Sequence, residues 1–126
     1  MNSSSADRMI RIDMNDQSVK IEPFPEAWGL LAGRALSARI LLEECDPTCN
    51  PLGPDNVFIL APGFLAGTSA PTSGRISVGA KSPLTGGIKE ANAGGNSGQD
   101  LMKLGFRVVI VRGEPADSER RYAIDI

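Results

Sequence analysis

The sequence predicts an α+β fold: mixed and antiparallel β-sheets with one long and one short helix. Three observations point there. Segments near residues 9–14, 19–22 and 106–112 alternate apolar with polar residues or run apolar, as strands do. A stretch over residues 26–45 carries apolar residues three and four apart, as a core-facing helix does. Between them, residues 61–98 concentrate Gly, Ser, Thr and Pro and lead into a short helical pattern at 97–104.

The elements follow in order. M-I-R-I-D-M at 9–14 alternates, N-D-Q supplies turn chemistry, and V-K-I-E at 19–22 alternates again, giving a β-hairpin. Pro23 and Pro25 interrupt it. Pro25 suits the first turn of a helix, where its missing N–H costs nothing. Across 26–45 the stripe is Trp28, Leu31, Ala35, Ala38 and Leu42, widened by Leu30, Ile40 and Leu41. Asp46-Pro47 ends it, because a residue before proline avoids the α region. The run V-F-I-L-A at 57–61 reads as a strand covered on both faces. Further strands are expected at 75–80 and 87–91, a helix at 97–104, and the clearest strand at 106–112, stopped by G-E-P. R-Y-A-I-D-I at 121–126 alternates like a final strand, after which the sequence reads as cut or split. The whole is one partial domain over 1–126, with residues 1–7 expected to be disordered.

Composition narrows the function. The 126 residues carry a net charge of −2, so no basic field invites nucleic acid or an anionic membrane. Aromatic residues make up 5%, too few for a base-stacking platform. No apolar run approaches a transmembrane span, and residues 1–8 lack the apolar core of a secretory signal, which suggests a cytoplasmic domain. Histidine is absent, which removes Ser-His-Asp and Cys-His catalysis and histidine-based zinc sites within this chain. Cys45 and Cys49, spaced C-x-x-x-C, are too few for a structural metal site, and a reducing compartment disfavours a disulfide. They read as inert thiols at a helix end.

The small-residue segment carries the candidate chemistry. Many small residues expose backbone N–H groups, and a few fixed donors beside them suit a phosphate-bearing anion. G-R-I-S-V-G-A-K-S at 74–82 imitates a P-loop, but Ala80 separates Gly79 from Lys81, which points the lysine elsewhere. Gly94-Gly95-Asn96-Ser97-Gly98 places paired glycines before a helix start, an arrangement that serves either an anion or an ordinary capped turn. Arg75 is either a solvated charge or a planar fork for phosphate, and Asn92 either a ligand contact or a turn former. Residue chemistry alone gives an anion cradle without naming its occupant.

Taken together, these residues resemble the N-terminal domain of the tungsten-containing aldehyde:ferredoxin oxidoreductases. That family runs R-x-I-R-V-N-L, then D-P-x-x-x-P-L-x-P-E-N, G-P-L-T-G-T-x-A-P-x-x-x-R, K-S-P-L-T-G, N-x-G-G-x-x-G and x-G-Y-D-x-I-I-I-x-G. The counterparts here lie at residues 8–14, 46–56, 63–75, 81–86, 92–98 and 105–113, in order and without a gap from 46 to 113. The resemblance implies a base of β-sheet beneath a tungsten (in some relatives molybdenum) bis-pyranopterin. It implies that Arg75 binds the pterin, that Asn92, Ala93, Gly94, Gly95 and Lys81 line the same cofactor, and that the Asn92 carbonyl helps hold a magnesium ion between the pterin phosphates. The implied reaction is two-electron oxidation of an aldehyde to a carboxylic acid. Electrons would leave through an iron–sulfur cluster, in the remainder of the enzyme or a larger catalytic subunit, to ferredoxin.

Departures from the pattern are specific. Phe64 stands for Pro, Ala66 for Thr, A-G-R-A at 32–35 for G-x-R-G, and Arg107 for Asp. The further pterin contacts of the family's domain and its C-x-x-C-x-x-x-C cluster cysteines lie beyond the matched region. Cys45 and Cys49 do not correspond to them. The expectation is a cofactor-binding part that does not turn over alone; the alternative is a non-catalytic remnant or interaction module with the same fold.

Overall fold

The computed structural model describes residues 7–126. Disorder expected for residues 1–7 therefore falls, for 1–6, outside the described residues. Asp7 itself is tied down, since its carbonyl accepts from the Phe24 N–H at 3.0 Å.

The strands are β1 (Arg8–Asp13), β2 (Ser18–Pro23), β3 (Val57–Pro62), β4 (Ile76–Lys81), β5 (Ile88–Ala93) and β6 (Phe106–Arg112); the helices are α1 (Gly33–Glu44) and α2 (Ser97–Lys103). All six strands join one sheet in the order β2-β1-β6-β3-β4-β5. Each neighbour is antiparallel except β1 with β6, which run parallel. The α+β expectation holds, as one mixed sheet with a longer and a shorter helix.

Strand alternation gives the sheet two apolar faces. On one, Met9, Val57, Ile59, Ala61, Val108 and Ile110 pack with Leu36, Ile40 and Leu41 of α1 and with Trp28. Each such aliphatic side chain contributes about 1.5–3 kcal/mol by leaving water. The approach of α1 depends on Gly79 of β4, where an added Cβ would lie 2.7 Å from the Ser37 Cβ. At its C-terminal end α1 is tied to β1, because Arg11 donates to both oxygens of Glu44 at 2.6 and 3.0 Å. On the opposite face Ile10, Ile12, Ile76, Phe106 and Val109 meet Leu101 of α2.

Two expectations are corrected. The helix does not start at Glu26. Residues Glu26–Trp28 form a 3-10 turn, Gly29 adopts φ 48°, and α1 begins at Gly33. Gly29 can enter the left-handed region that bulkier residues avoid, and this reverses the chain after Trp28. The break rephases the helix, so its buried residues are Leu36, Ser37, Ile40 and Leu41, while Leu30 and Leu42 of the expected stripe are exposed. The second correction concerns residues 121–126, which form no strand. Their alternation instead lays Tyr122, Ile124 and Ile126 along the outer face beside Ile10, Ile12 and Ile21.

Candidate cofactor-binding site

The glycine-rich segment is not one loop. Its middle is the β4–β5 hairpin, whose turn is built on Ser82: the Ser82 hydroxyl accepts from the Leu84 and Thr85 N–H groups, and its carbonyl accepts from Gly86. That S-P-L-T-G turn fixes the hairpin register, with Ser77 opposite Asn92 and Ile76 opposite Ala93. Arg75 directly precedes β4, and the register brings it beside Asn92.

A hydrogen-bonded chain follows from that register. The Arg75 Nε donates to the Asn92 Oδ1 at 2.6 Å, and the Asn92 Nδ2 donates to the Glu90 Oε1 at 3.0 Å. The buried Ser77 hydroxyl donates to the same Glu90 oxygen at 2.9 Å. Donation from Asn92, then from Ser77, holds the Glu90 carboxyl below the usual glutamate range. Asn92 is thus fixed amide-first toward glutamate and carbonyl-first toward arginine. The Nε bond orients the guanidinium and leaves its two terminal nitrogens without a hydrogen-bond partner among the described residues.

The backbone beneath this arginine is rigid. Its carbonyl accepts from the Gly63 N–H at 3.0 Å, and its N–H donates to the Ser73 carbonyl at 2.9 Å. The first turn of α2 presses against it from below: a Cβ on Gly98 would sit 2.9 Å from the Arg75 carbonyl oxygen. Glycine is the residue that permits this contact. Above, a Cβ on Gly94 would lie 3.4 Å from the Arg75 Nη1, so the guanidinium rests against bare backbone. Gly95 follows at φ 112°, and residues 91–97 are all exposed. Arg75, Asn92, Ala93, Gly94 and Gly95 therefore share one patch.

Lys81 is not brought into it. It closes the other end of β4, about 20 Å along the strand. Its ammonium donates to the Pro47 and Cys49 carbonyls at 2.5 and 2.7 Å. Its backbone meets Asn56, whose side chain both accepts from the Lys81 N–H and donates to the Lys81 carbonyl, each at 3.0 Å. Lys81 here joins the 46–56 connection to the sheet.

Two departures from the family pattern meet each other. The Arg107 guanidinium lies 4.0 Å from the Phe24 ring centre and 5.5 Å from that of Phe64. It donates to the Gly29 and Leu31 carbonyls at 3.1 and 2.8 Å and to Asp7 at 3.3 Å. Phe64 is the second residue of the 63–74 segment leading into Arg75, so this buried arginine anchors the approach to the patch.

Glu90 and Ser77 were not among the residues singled out from sequence. The signal was available: in K-E-A-N, Glu90 and Asn92 fall on one strand face. Once the S-P-L-T-G turn sets the register, both lie beside Ser77.

An oriented arginine over glycine backbone, carried on a hairpin, has the donor chemistry that suits an anion. Among the described residues no group of three or more His, Cys, Asp or Glu could hold a metal ion, so a metal here would depend on ligands brought by a bound group. Known proteins identify the family. The profile of the family described as "Aldehyde ferredoxin oxidoreductase, N-terminal domain" matches residues 9–123. Over 109 residues the chain is 45% identical to the tungsten-containing aldehyde ferredoxin oxidoreductase of Pyrococcus furiosus and 44% identical to that of Thermococcus kodakarensis. These alignments cover 85% of this chain and 18% of each relative. Among solved structures, the active-site complex BamBC of benzoyl coenzyme A reductase, in complex with 1,5-dienoyl-CoA, superposes with a TM-score of 0.81 at 27% identity, over 87% of this chain and 17% of that one. The chain belongs to the aldehyde ferredoxin oxidoreductase N-terminal domain family.

Proposed function

We propose that the chain supplies one side of the seat for a tungsten or molybdenum bis-pyranopterin in a cytoplasmic enzyme that oxidises aldehydes to carboxylic acids, with ferredoxin as electron acceptor. The observation that carries the reading is the Arg75–Asn92–Glu90 chain, which aims an exposed guanidinium across glycine backbone. The residues present fit such a group: Arg75 offers two terminal nitrogens to a pterin or its phosphate, and Gly94 leaves the volume that a side chain would occupy. By resemblance, the Asn92 backbone carbonyl would help hold a magnesium ion brought with the cofactor.

When bound, the cofactor supplies the two-electron chemistry, and the protein supplies binding and tuning. This chain's share is to hold the arginine fixed, so that little side-chain freedom is lost on binding. The iron–sulfur cluster and the other side of the seat belong to the remainder of the enzyme or a larger catalytic subunit, in keeping with the 18% of each curated relative that the chain spans. Identity of 45% to the aldehyde oxidoreductase, against 27% to the benzoyl coenzyme A reductase complex, favours aldehyde oxidation.

The test is Arg75→Ala in the enzyme assembled with that remainder, with tungsten measured by mass spectrometry and pterin by fluorescence of its oxidised derivative. A several-fold loss of both, with unchanged thermal stability, is expected. Full cofactor content in the variant would refute the assignment.

A further inference from the structure

The two cysteines, read from sequence as inert, are placed in contact by the fold. Cys45 is the C-cap of α1, where its N–H donates to the Leu41 carbonyl at 3.0 Å. The turn that follows closes through the Cys49 N–H on the Asp46 carbonyl at 3.0 Å. The two sulfurs end 3.8 Å apart, both as free thiols. Lys81 holds the turn in this shape from outside through the Pro47 and Cys49 carbonyls.

Access is unequal. Cys45 is half-buried and lines a cavity of about 190 Å³ between the end of α1 and the β4–β5 turn, beside Leu42, Lys81 and Ile88. Cys49 is buried beneath it. A cavity opening onto one thiol, with a second thiol in contact behind it, is the arrangement of an attacking and a resolving cysteine.

We infer that Cys45 and Cys49 form a reversible dithiol–disulfide pair that is oxidised by low-molecular-weight disulfides. The Cys45 thiolate attacks one sulfur of the small disulfide, forming a mixed disulfide and expelling one thiolate. The Cys49 thiolate then attacks the Cys45 sulfur and expels the second. Two electrons pass to the small disulfide, and the two cysteine protons end on the two small thiols released. Closure requires each sulfur to move about 0.9 Å to reach bonding distance. Burial, and after it the neighbouring Cys49, push the Cys45 thiol up from its usual range, so exchange should accelerate as pH rises above neutral. Once formed, the bond would link the end of α1 covalently to the turn that holds Lys81, stiffening the far end of β4.

The test is equilibration of the folded chain with oxidised and reduced glutathione, acid quenching, alkylation and intact-mass analysis. The expected product is a monomer lighter by two hydrogens and resistant to alkylation, with an equilibrium constant at least about tenfold higher than for the same chain in urea. Cys49→Ser should accumulate the mixed glutathione disulfide at Cys45, whereas Cys45→Ser should react about tenfold more slowly at the buried thiol. Two alkylatable thiols in the folded chain, under conditions that oxidise the unfolded one, would overturn the inference. So would oxidation found solely between molecules.

Discussion

Replacing Arg107 by methionine tests whether this buried arginine organises the approach to the site. Its side chain is 6% exposed and makes two hydrogen bonds to the Gly29 and Leu31 carbonyls. A bond from a charged donor contributes about 1.5–3 kcal/mol, and the lower figure applies because Gly29 faces water. Contact with the Phe24 ring adds about 0.5–1 kcal/mol. Methionine keeps most of the stem volume, so the cavity term is small. The expected loss is about 3.5–4 kcal/mol, or about 10–15 °C in Tm for a domain of this size. Trp28 is the sole tryptophan, lies in the core and packs edge-on to Phe24 at 5.6 Å, so its fluorescence in urea reports the transition directly. Arg107→Lys should lose about half as much, since a lysine lacks the planar guanidinium that stacks on Phe24 while its two terminal nitrogens serve the Gly29 and Leu31 carbonyls. Asp7→Asn should cost at most about 0.5 kcal/mol, because Asp7 is 45% exposed. Arg107→Met within about 1 kcal/mol of the parent, or Asp7→Asn as costly as Arg107→Met, would refute the reasoning.

The other predictions concern α1 and the site. Gly79→Ala places a methyl 2.7 Å from the Ser37 Cβ and should destabilise by about 1–3 kcal/mol in urea unfolding, with Ser37→Gly restoring part of the loss. The Glu90 carboxylate is held below its ordinary pKa, so its contribution is present above the unfolded value and is lost as pH falls through the lower folded value. Nuclear magnetic resonance titration should therefore show the Asn92 side-chain amide shifting with the Glu90 carboxyl in acid. An Asn92 amide indifferent to that titration would remove Glu90 from the chain. Glu90→Gln should leave the fold intact and broaden the Arg75 Nε signal as the guanidinium loses its fixed orientation.

Much of the fold is legible because its determinants are local. Alternation in M-I-R-I-D-M and the apolar run of 106–112 mark strands whatever they pair with. The G-G-N-S-G segment leads into α2 where expected, although the helix N-cap is Asn96 and makes no side-chain cap bond. The helix start was hidden because Leu30 and Leu31 continue the periodicity across a break that depends on the backbone state of Gly29. The terminal alternation of 121–126 misled because a period of two describes a strand's side chains without supplying a partner edge. At the site, Arg75, Asn92 and the glycines were found through motif order. Glu90 and Ser77 were not, since their roles emerge from cross-strand register, which no single segment encodes. Lys81 sits in a recognisable motif, yet its strand carries the ammonium to the opposite end of the hairpin.

The position of β6 has a consequence for how the nascent chain matures. Of the six strands it is the last to leave the ribosome, yet it lies between β1 and β3 and pairs with both. Until Phe106–Arg112 emerges, the β1–β2 hairpin and the β3–β4–β5 meander are separate halves, each with an unsatisfied inner edge. Val108, Val109 and Ile110, which finish fully enclosed, then join the two halves in a single late step. Cotranslational folding should accordingly wait for this strand, and a nascent chain stalled before residue 106 should engage chaperones that bind exposed strand edges.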